Sequence, residues 1–151
     1  VPSLLNVYSF IKSVVFRRLN FFFKRNQSTE LLMLLDKAKQ ADKHPHLKTM
    51  NGVFNEARLI NTALTDSAKK IISNIKPLVV VNRIRTTKDA RAGDVIRNLL
   101  KEYLCIESAV IMTIRDDDAV RKAISKLSPI MIEAPNSFFA NDIQKIASRL
   151  D

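Results

Sequence analysis

A short apolar run near the middle of the chain constrains the fold more than any other feature. Residues 78–81 read Leu-Val-Val-Val, and the run passes directly into Asn82 and Arg83. An unbroken run of this kind predicts a strand covered on both faces, as in a parallel sheet. Such strands point their carboxyl ends at the ligand crevice of an open α/β sheet. Asn82 and Arg83 are therefore candidate site residues, although a core strand that meets a polar loop explains the same pattern.

From residue 76 onward, predicted strands and helices alternate along the chain. The strands cover residues 78–82 and 109–114, a further extended segment covers 129–132, and helices cover 89–105, 119–126 and the residues after Asn136-Ser137. The last helix is expected to turn six apolar residues inward, namely Phe138, Phe139, Ile143, Ile146, Ala147 and Leu150. Alternation of this kind predicts βαβ units. The predicted fold class is α/β, with a partial, mostly parallel sheet and flanking helices.

The first 75 residues carry apolar side chains at helical spacing instead. Residues 2–23 predict a helix that is apolar over most of its surface and hence buried. A second helix begins at Ser28-Thr29, where a hydroxyl can cap it, and a third is predicted over about 51–75. His44 and His46 could ligate a metal, but the proline between them favours a turn.

The charge balance favours an anionic partner. The formal net charge is +10, and residues 1–75 carry 12 basic against 5 acidic side chains, whereas residues 76–151 carry 13 against 10. Nucleic acid, a phosphate ligand and a membrane surface all fit this excess. The single cysteine, Cys105, excludes a disulfide framework and makes a reducing cytoplasm the expected location. The sequence contains no run of 18 apolar residues, so no transmembrane helix is predicted.

One stretch of the first helix combines cations with aromatic residues. Arg17, Arg18, Lys24 and Arg25 flank the run Phe21-Phe22-Phe23. An apolar wedge with a basic border is typical of a contact to an anionic surface, either a membrane or nucleic acid. The alternative is a helix end whose phenylalanines pack in a core while the cations are solvated.

The second half shows an ordered set of features: a strand ends in Asn-Arg, a second strand runs into an aspartate, and a proline and a Pro-x-Ser precede a final helix. The positions that carry this order are Asn82, Arg83, Ile114, Asp117, Val120, Ala123, Ile124, Pro129, Pro135, Ser137, Ala140, Ile146, Ala147 and Leu150. The order resembles that of the MinD/ParA family of deviant Walker P-loop ATPases. Arg115 and Met112 depart from the pattern, since they stand where the family usually has proline and glycine.

The start of the chain is similar to the same family. Pro2-Ser3, Tyr8, Ile11 and Lys12 follow the family's pattern after its fifth strand. The resemblance thus implies that residues 1–16 and 76–151 form the C-terminal half of a P-loop NTPase fold, with a basic helical insertion at 17–75. No Gly-rich phosphate loop is present, so the chain is expected to be the C-terminal portion of a longer protein. On its own such a chain would not hydrolyse ATP.

The resemblance also implies a nucleotide site. Asn82 would hydrogen-bond the adenine base and Arg83 would border the nucleotide, while Ile114, Arg115 and Asp117 would form the other wall. The guanidinium of Arg115 could stack on the base. The implied cofactor is ATP, with Mg²⁺ held only together with the missing half. A capped helix start fully explains the acidic run 116–118, which contains Asp117, and is preferred to a catalytic role.

The family's members are ATP-dependent dimers that position or partition cellular structures such as chromosomes, plasmids, division sites or flagella. The implied partners are the N-terminal half of the same protein, a second copy of the chain and a regulator protein. The expected location is the cytoplasm, including the periphery of the membrane or nucleoid. Alternatively, the chain is a non-enzymatic interaction module whose basic helices bind nucleic acid, a membrane surface or a partner protein. A partial sheet is also expected to expose an apolar edge or face.

Overall fold

The computed structural model describes residues 2–150 and all of their side chains except that of Pro2. The described chain is an α/β structure rich in helix, and its sheet has two parallel strands. The helices are α1 (Pro2–Arg25), α2 (Thr29–Lys39), α3 (Met50–Ile60), α4 (Thr62–Ser73), α5 (Thr87–Leu104), α6 (Asp118–Ser125), α7 (Ile130–Glu133) and α8 (Phe138–Ala147), and the strands are β1 (Leu78–Ile84) and β2 (Val110–Arg115).

The chain divides into two compact units. The first comprises residues 1–77 and 96–109, and the second comprises residues 78–95 and 110–151. Helix α1 runs without a break across residue 17, where the predicted insertion begins, and all of α1 belongs to the first unit. The predicted division into an ATPase part and an insertion stays a prediction.

The first unit is a helical assembly in which α1 packs against α2 and α4, α2 against α3, and α3 against α4. Helix α1 buries one stripe, formed by Ile11, Val15, Leu19 and Phe23. The prediction that most of α1 is buried was wrong, since its opposite face stays exposed. The reason is that its helical neighbours cover only one side of it. None of the described helices is long and apolar enough to cross a bilayer.

The single helix predicted over residues 51–75 is two helices. Asn61 ends α3 by donating its N–H to the Ala57 carbonyl at 2.9 Å, and it begins α4 by accepting from the Leu64 N–H at 2.9 Å. Its backbone is extended, with φ −155° and ψ 106°. An asparagine that caps a helix breaks it because its side chain replaces the backbone partner of the next turn.

The second unit is built on the parallel pair β1 and β2, with Leu78 beside Val110 and Val81 beside Thr113. Helix α5 approaches this sheet closely at Gly93. A Cβ atom there would lie 2.5 Å from Cγ2 of Ile111, so only glycine fits without a shift. The helix begins with a reciprocal cap in which Asp89 accepts from the Thr86 N–H at 2.9 Å and donates its own N–H to the Thr86 hydroxyl at 3.3 Å.

The sheet is less covered than predicted. Val80 and Val110 are each 38% exposed, so the expectation of a strand covered on both faces was wrong. The expected exposed apolar surface on the sheet is present. Both strands have an unpaired edge among the described residues, since β1 pairs only with β2.

Two further predictions in the second unit were wrong. Residues 129–132 are not extended, because the Ile132 and Glu133 N–H groups both donate to the Pro129 carbonyl at 3.0 Å and so close the helical turn α7. Phe138 and Leu150 do not point inward but are largely exposed. The predicted cap of α8 is confirmed, since the Ser137 hydroxyl accepts from the Ala140 N–H at 3.1 Å.

Candidate functional site

Four of the five residues predicted for a nucleotide site surround one cavity. The cavity has a volume of about 320 Å³ and lies where β1 and β2 end at their carboxyl termini. The residues that line it are Asn82, Arg83, Arg115, Asp116, Asp117, Val120, Arg121, Ile124 and Phe139. Its volume falls within the roughly 300–1,000 Å³ of small-molecule sites. The fifth predicted residue, Ile114, is only 7% exposed and does not line the cavity.

A bulge at the end of β1 presents Asn82 and Arg83 to this cavity. The regular pairing with β2 is interrupted between Val81 and Ile84, and Arg83 has a positive φ of 59°. A non-glycine residue in this region costs roughly 1 kcal/mol. The Asn82 Oδ1 accepts from the Arg83 N–H at 2.8 Å, which holds the bulge and orients the amide. The Asn82 Nδ2 has no hydrogen-bond acceptor among the described residues.

Asp116 is a cavity residue that sequence reasoning missed as part of the site. It accepts from Arg85 Nε at 2.5 Å and from Arg83 Nε at 3.4 Å. The hydrogen bond from Arg85, with the nearby Arg83 charge, lowers the pKa of Asp116 below its usual range. The Asp116 carboxylate thus holds the Arg83 and Arg85 side chains near the carboxyl end of β1. A signal was present in the sequence, since Asp116 lies two residues after the end of the second predicted strand.

Arg115 is held by a buried carboxylate that was also missed. Asp142 on α8 accepts from the Arg115 backbone N–H at 3.0 Å, from its Nε at 2.9 Å and from its Nη2 at 2.8 Å. The guanidinium carbon lies 4.3 Å from the centre of the Phe138 ring. The hydrogen bonds to Asp142 raise the pKa of Arg115, and those from Arg115 lower the pKa of Asp142. One face of the guanidinium is therefore already stacked, on this protein's own ring.

Asp117 joins the starts of two helices. Its Oδ1 accepts from the Ala119 N–H at 2.9 Å and caps α6, and its Oδ2 accepts from the Phe139 N–H at 3.1 Å near the start of α8. These backbone hydrogen bonds lower the pKa of Asp117. The prediction of a capped helix start is confirmed. Because both oxygens are engaged, Asp117 shapes the cavity wall more than it offers a free ligand.

The cavity combines an apolar wall with polar side chains. Val120, Ile124 and Phe139 give it an apolar wall, and the Asn82 amide faces it with an unused donor. Its carboxylates are paired with arginines or with backbone N–H groups. Within residues 2–150, no group of three or more His, Cys, Asp and Glu side chains could hold a metal ion. His46 instead lies 2.9 Å from Glu56.

The four cations predicted to contact an anionic surface, Arg17, Arg18, Lys24 and Arg25, lie on α1 in the first unit. All four are exposed. Beside them the phenylalanine run is divided, since Phe23 is buried while Phe21 is exposed. The buried Phe23 fits the interpretation of a packed helix end, while a contact of the exposed residues with an anionic surface stays a prediction.

Comparisons of the chain with protein-family models, with curated proteins and with solved structures found no match. The resemblance to the MinD/ParA family thus rests on the spaced residues alone, and the family assignment stays a prediction.

Proposed function

We propose that the chain is the nucleotide-base-binding portion of a MinD/ParA-type ATPase. The observation that carries the proposal is the gathering of Asn82, Arg83, Arg115 and Asp117 around one cavity. Asn82 and Arg83 precede Arg115 and Asp117 by 32 to 35 residues along the chain. The cavity lies at the carboxyl ends of adjacent parallel strands, where open α/β sheets bind their ligands.

Asn82 is the residue proposed to read the base. Its Nδ2 can donate to a ring nitrogen of adenine, and the second lone pair of its Oδ1 can accept from the exocyclic amino group. The hydrogen bond from the Arg83 N–H to Oδ1 sets this orientation before a ligand arrives. Guanine offers an oxygen where adenine has its amino group, so the same amide favours adenine.

The other cavity residues would hold the base in place. Val120, Ile124 and Phe139 offer apolar surface for its faces. Arg115, tied to Asp142 and stacked on Phe138, would border the ligand as a fixed positive charge. This differs from the role first expected for Arg115, which was to stack on the base itself.

The phosphates would be bound outside this chain. Both glycines, Gly52 and Gly93, lie within helices, where a Cβ atom would meet His46 or Ile111. They serve close packing and do not form a phosphate-binding loop. Under the proposal, ATP hydrolysis, Mg²⁺ binding and ATP-dependent dimerisation need a segment that supplies such a loop.

The test is a titration of the 151-residue chain with adenosine, followed by the nuclear magnetic resonance signals of its backbone and side-chain amides. We expect dissociation constants on the order of 1 mM, since only the base is held. The signals that move should include the Asn82 side-chain amide and the backbone amides of Arg83, Asp116 and Asp117. Asn82→Ala should weaken the binding about tenfold, because it removes both hydrogen bonds to the base.

The matched control is Asn136→Ala, an exposed asparagine of the same unit that does not line the cavity. It should leave the titration unchanged. Guanosine serves as the second ligand and should bind more weakly than adenosine. Equal affinities of the wild type and Asn82→Ala for adenosine would show that the base site has been placed wrongly.

A further inference from the structure

Helix α1 presents an apolar stripe to the outside. Phe10, Val14 and Phe21 recur at spacings of four and seven residues and so share one face of the helix. Phe10 is 70% exposed and Phe21 is 69% exposed, whereas the opposite stripe of α1 is buried in the first unit. Two outward phenylalanines on one helix face form an exposed apolar patch whose contact with water is unfavourable.

Cations surround this stripe. Arg17 and Lys24 continue the same face, at seven and fourteen residues from Phe10, and Arg18 and Arg25 lie beside them. Helix α1 carries no acidic residue. Among the described residues, none of the four cations forms a salt bridge with a carboxylate. Their charge is therefore available to an outside partner.

A cavity opens on the flank of the same helix. It has a volume of about 490 Å³ and is lined by Lys12, Ser13, Phe16, Arg17, Asn20 and Lys39. Lys39 is paired with Asp36 at 3.0 Å, while Lys12 lies 5.6 Å from the centre of the Phe16 ring. Three cations with a hydroxyl and an amide form a set of donors that suits a phosphate group.

We propose that this face of α1 docks on the surface of a membrane that contains anionic lipids. Phe10, Val14 and Phe21 enter the boundary between head groups and acyl chains, and Arg17, Arg18, Lys24 and Arg25 contact lipid phosphates. The flanking cavity receives one lipid head group. The stripe decides between a membrane and nucleic acid, because a phosphate backbone would engage the cations but leave Phe10 and Val14 exposed to water. The proposal concerns the first unit and does not depend on nucleotide binding.

The test is co-sedimentation of the 151-residue chain with vesicles of phosphatidylcholine alone or with about 30% of the anionic lipid phosphatidylglycerol, which gives the vesicle a negative surface potential. We expect binding to the mixed vesicles only. Phe10→Ser with Phe21→Ser should reduce that binding at least tenfold, because the inserted surface is lost. Arg17→Gln with Arg18→Gln should reduce it roughly fivefold for each charge removed. Both pairs are exposed, so circular dichroism should show unchanged helix content.

Matched controls separate the effect of this face of α1 from the effects of exposed apolar surface and of positive charge in general. Leu59→Ser removes an almost fully exposed apolar side chain from α3, and Lys37→Gln with Lys43→Gln removes two exposed charges elsewhere in the first unit. Both should leave vesicle binding unchanged. Binding of the Phe10→Ser, Phe21→Ser protein at wild-type level would overturn the proposal. So would binding to a DNA duplex without binding to the mixed vesicles.

Discussion

At the residue scale, Asp142 determines how Arg115 is placed. The residue is 6% exposed, and its carboxylate accepts three N–H groups of Arg115, two of them from the planar fork of the guanidinium. The pair links the end of β2 to α8 and supplies a polar tie in a unit with little apolar core. Within the described part of this unit, the buried hydrophobic residues are Ile114, Ala123 and Ala140 alone.

We expect Asp142→Asn to destabilise the second unit by about 2 kcal/mol at pH 7. The loss is smaller than the roughly 3–5 kcal/mol of a fully buried ion pair, because Arg115 remains partly solvated and can relax toward water. Urea unfolding, followed by amide exchange in β2 and α8, measures it. Asp118→Asn changes an exposed carboxylate paired with Arg121 and should cost well under about 1 kcal/mol.

Asp142→Asn should also remove part of the loss of stability that the second unit shows in acid. The pKa of Asp142 is lowered in the folded chain, chiefly by the Arg115 hydrogen bond. Its contribution is therefore complete above the unfolded value of about 4 and is lost as the pH falls through the lowered folded value. The stabilities of wild type and Asp142→Asn should thus converge as the pH falls below about 4. A difference that stays constant over this range would contradict the assigned role.

Residues of this kind show where sequence reasoning ends. Asn82 and Arg83 could be placed because a strand's end is visible as a change from apolar to polar residues. Asp142 could not be placed, because it is a polar residue on the inner face of α8, where the pattern predicts apolar residues. The helical period of 3.6 residues also does not identify a hydrogen-bond partner 27 residues away. Long-range pairs are set by packing, which one chain's pattern does not contain.

At the element scale, Asn61 shows how a break can hide inside a continuous pattern. Apolar residues recur at helical spacing on both sides of it, so the periodicity predicts one long helix. Asparagine costs only about 0.7 kcal/mol inside a helix, and that small penalty does not mark a boundary. The boundary is set by hydrogen bonds, since Thr65 also donates its hydroxyl to the Asn61 carbonyl at 2.7 Å.

We expect Asn61→Ala to destabilise the first unit by about 1 kcal/mol, because α4 loses its side-chain cap at the Leu64 N–H. Asn61→Asp keeps an acceptor at the same place, with a charge that suits a helix start, and should be neutral or stabilising. Urea unfolding followed by circular dichroism measures both. The matched control is Asn55→Ala within α3, where an exposed asparagine has no capping role and alanine should be tolerated or preferred. If Asn61→Ala proved as harmless as Asn55→Ala, the cap would have no energetic weight.

At the scale of the whole molecule, the alternation of strands and helices in residues 76–150 was enough to predict an α/β fold with a parallel strand pair. The periods of strands and amphipathic helices differ enough to be separated by eye. The degree to which other elements bury the two strands was not predictable in the same way. An apolar run predicts that a strand is buried. It carries no information on whether the residues that bury the strand belong to the same described chain or to another.

The exposed sheet therefore leads to a last prediction, that the chain associates through β1 and β2. Parallel sheets are almost always covered on both faces, and here Val80 and Val110 lie partly open beside unpaired strand edges. Sedimentation equilibrium should show an average mass that rises with concentration above that of one chain. Val110→Lys should weaken the association at least tenfold, because a buried ammonium group at a sheet contact is costly. Leu127→Lys, at an exposed apolar residue outside the sheet, should not weaken it. A single species with the mass of one chain at every concentration would show that this surface is stable in water without a second copy.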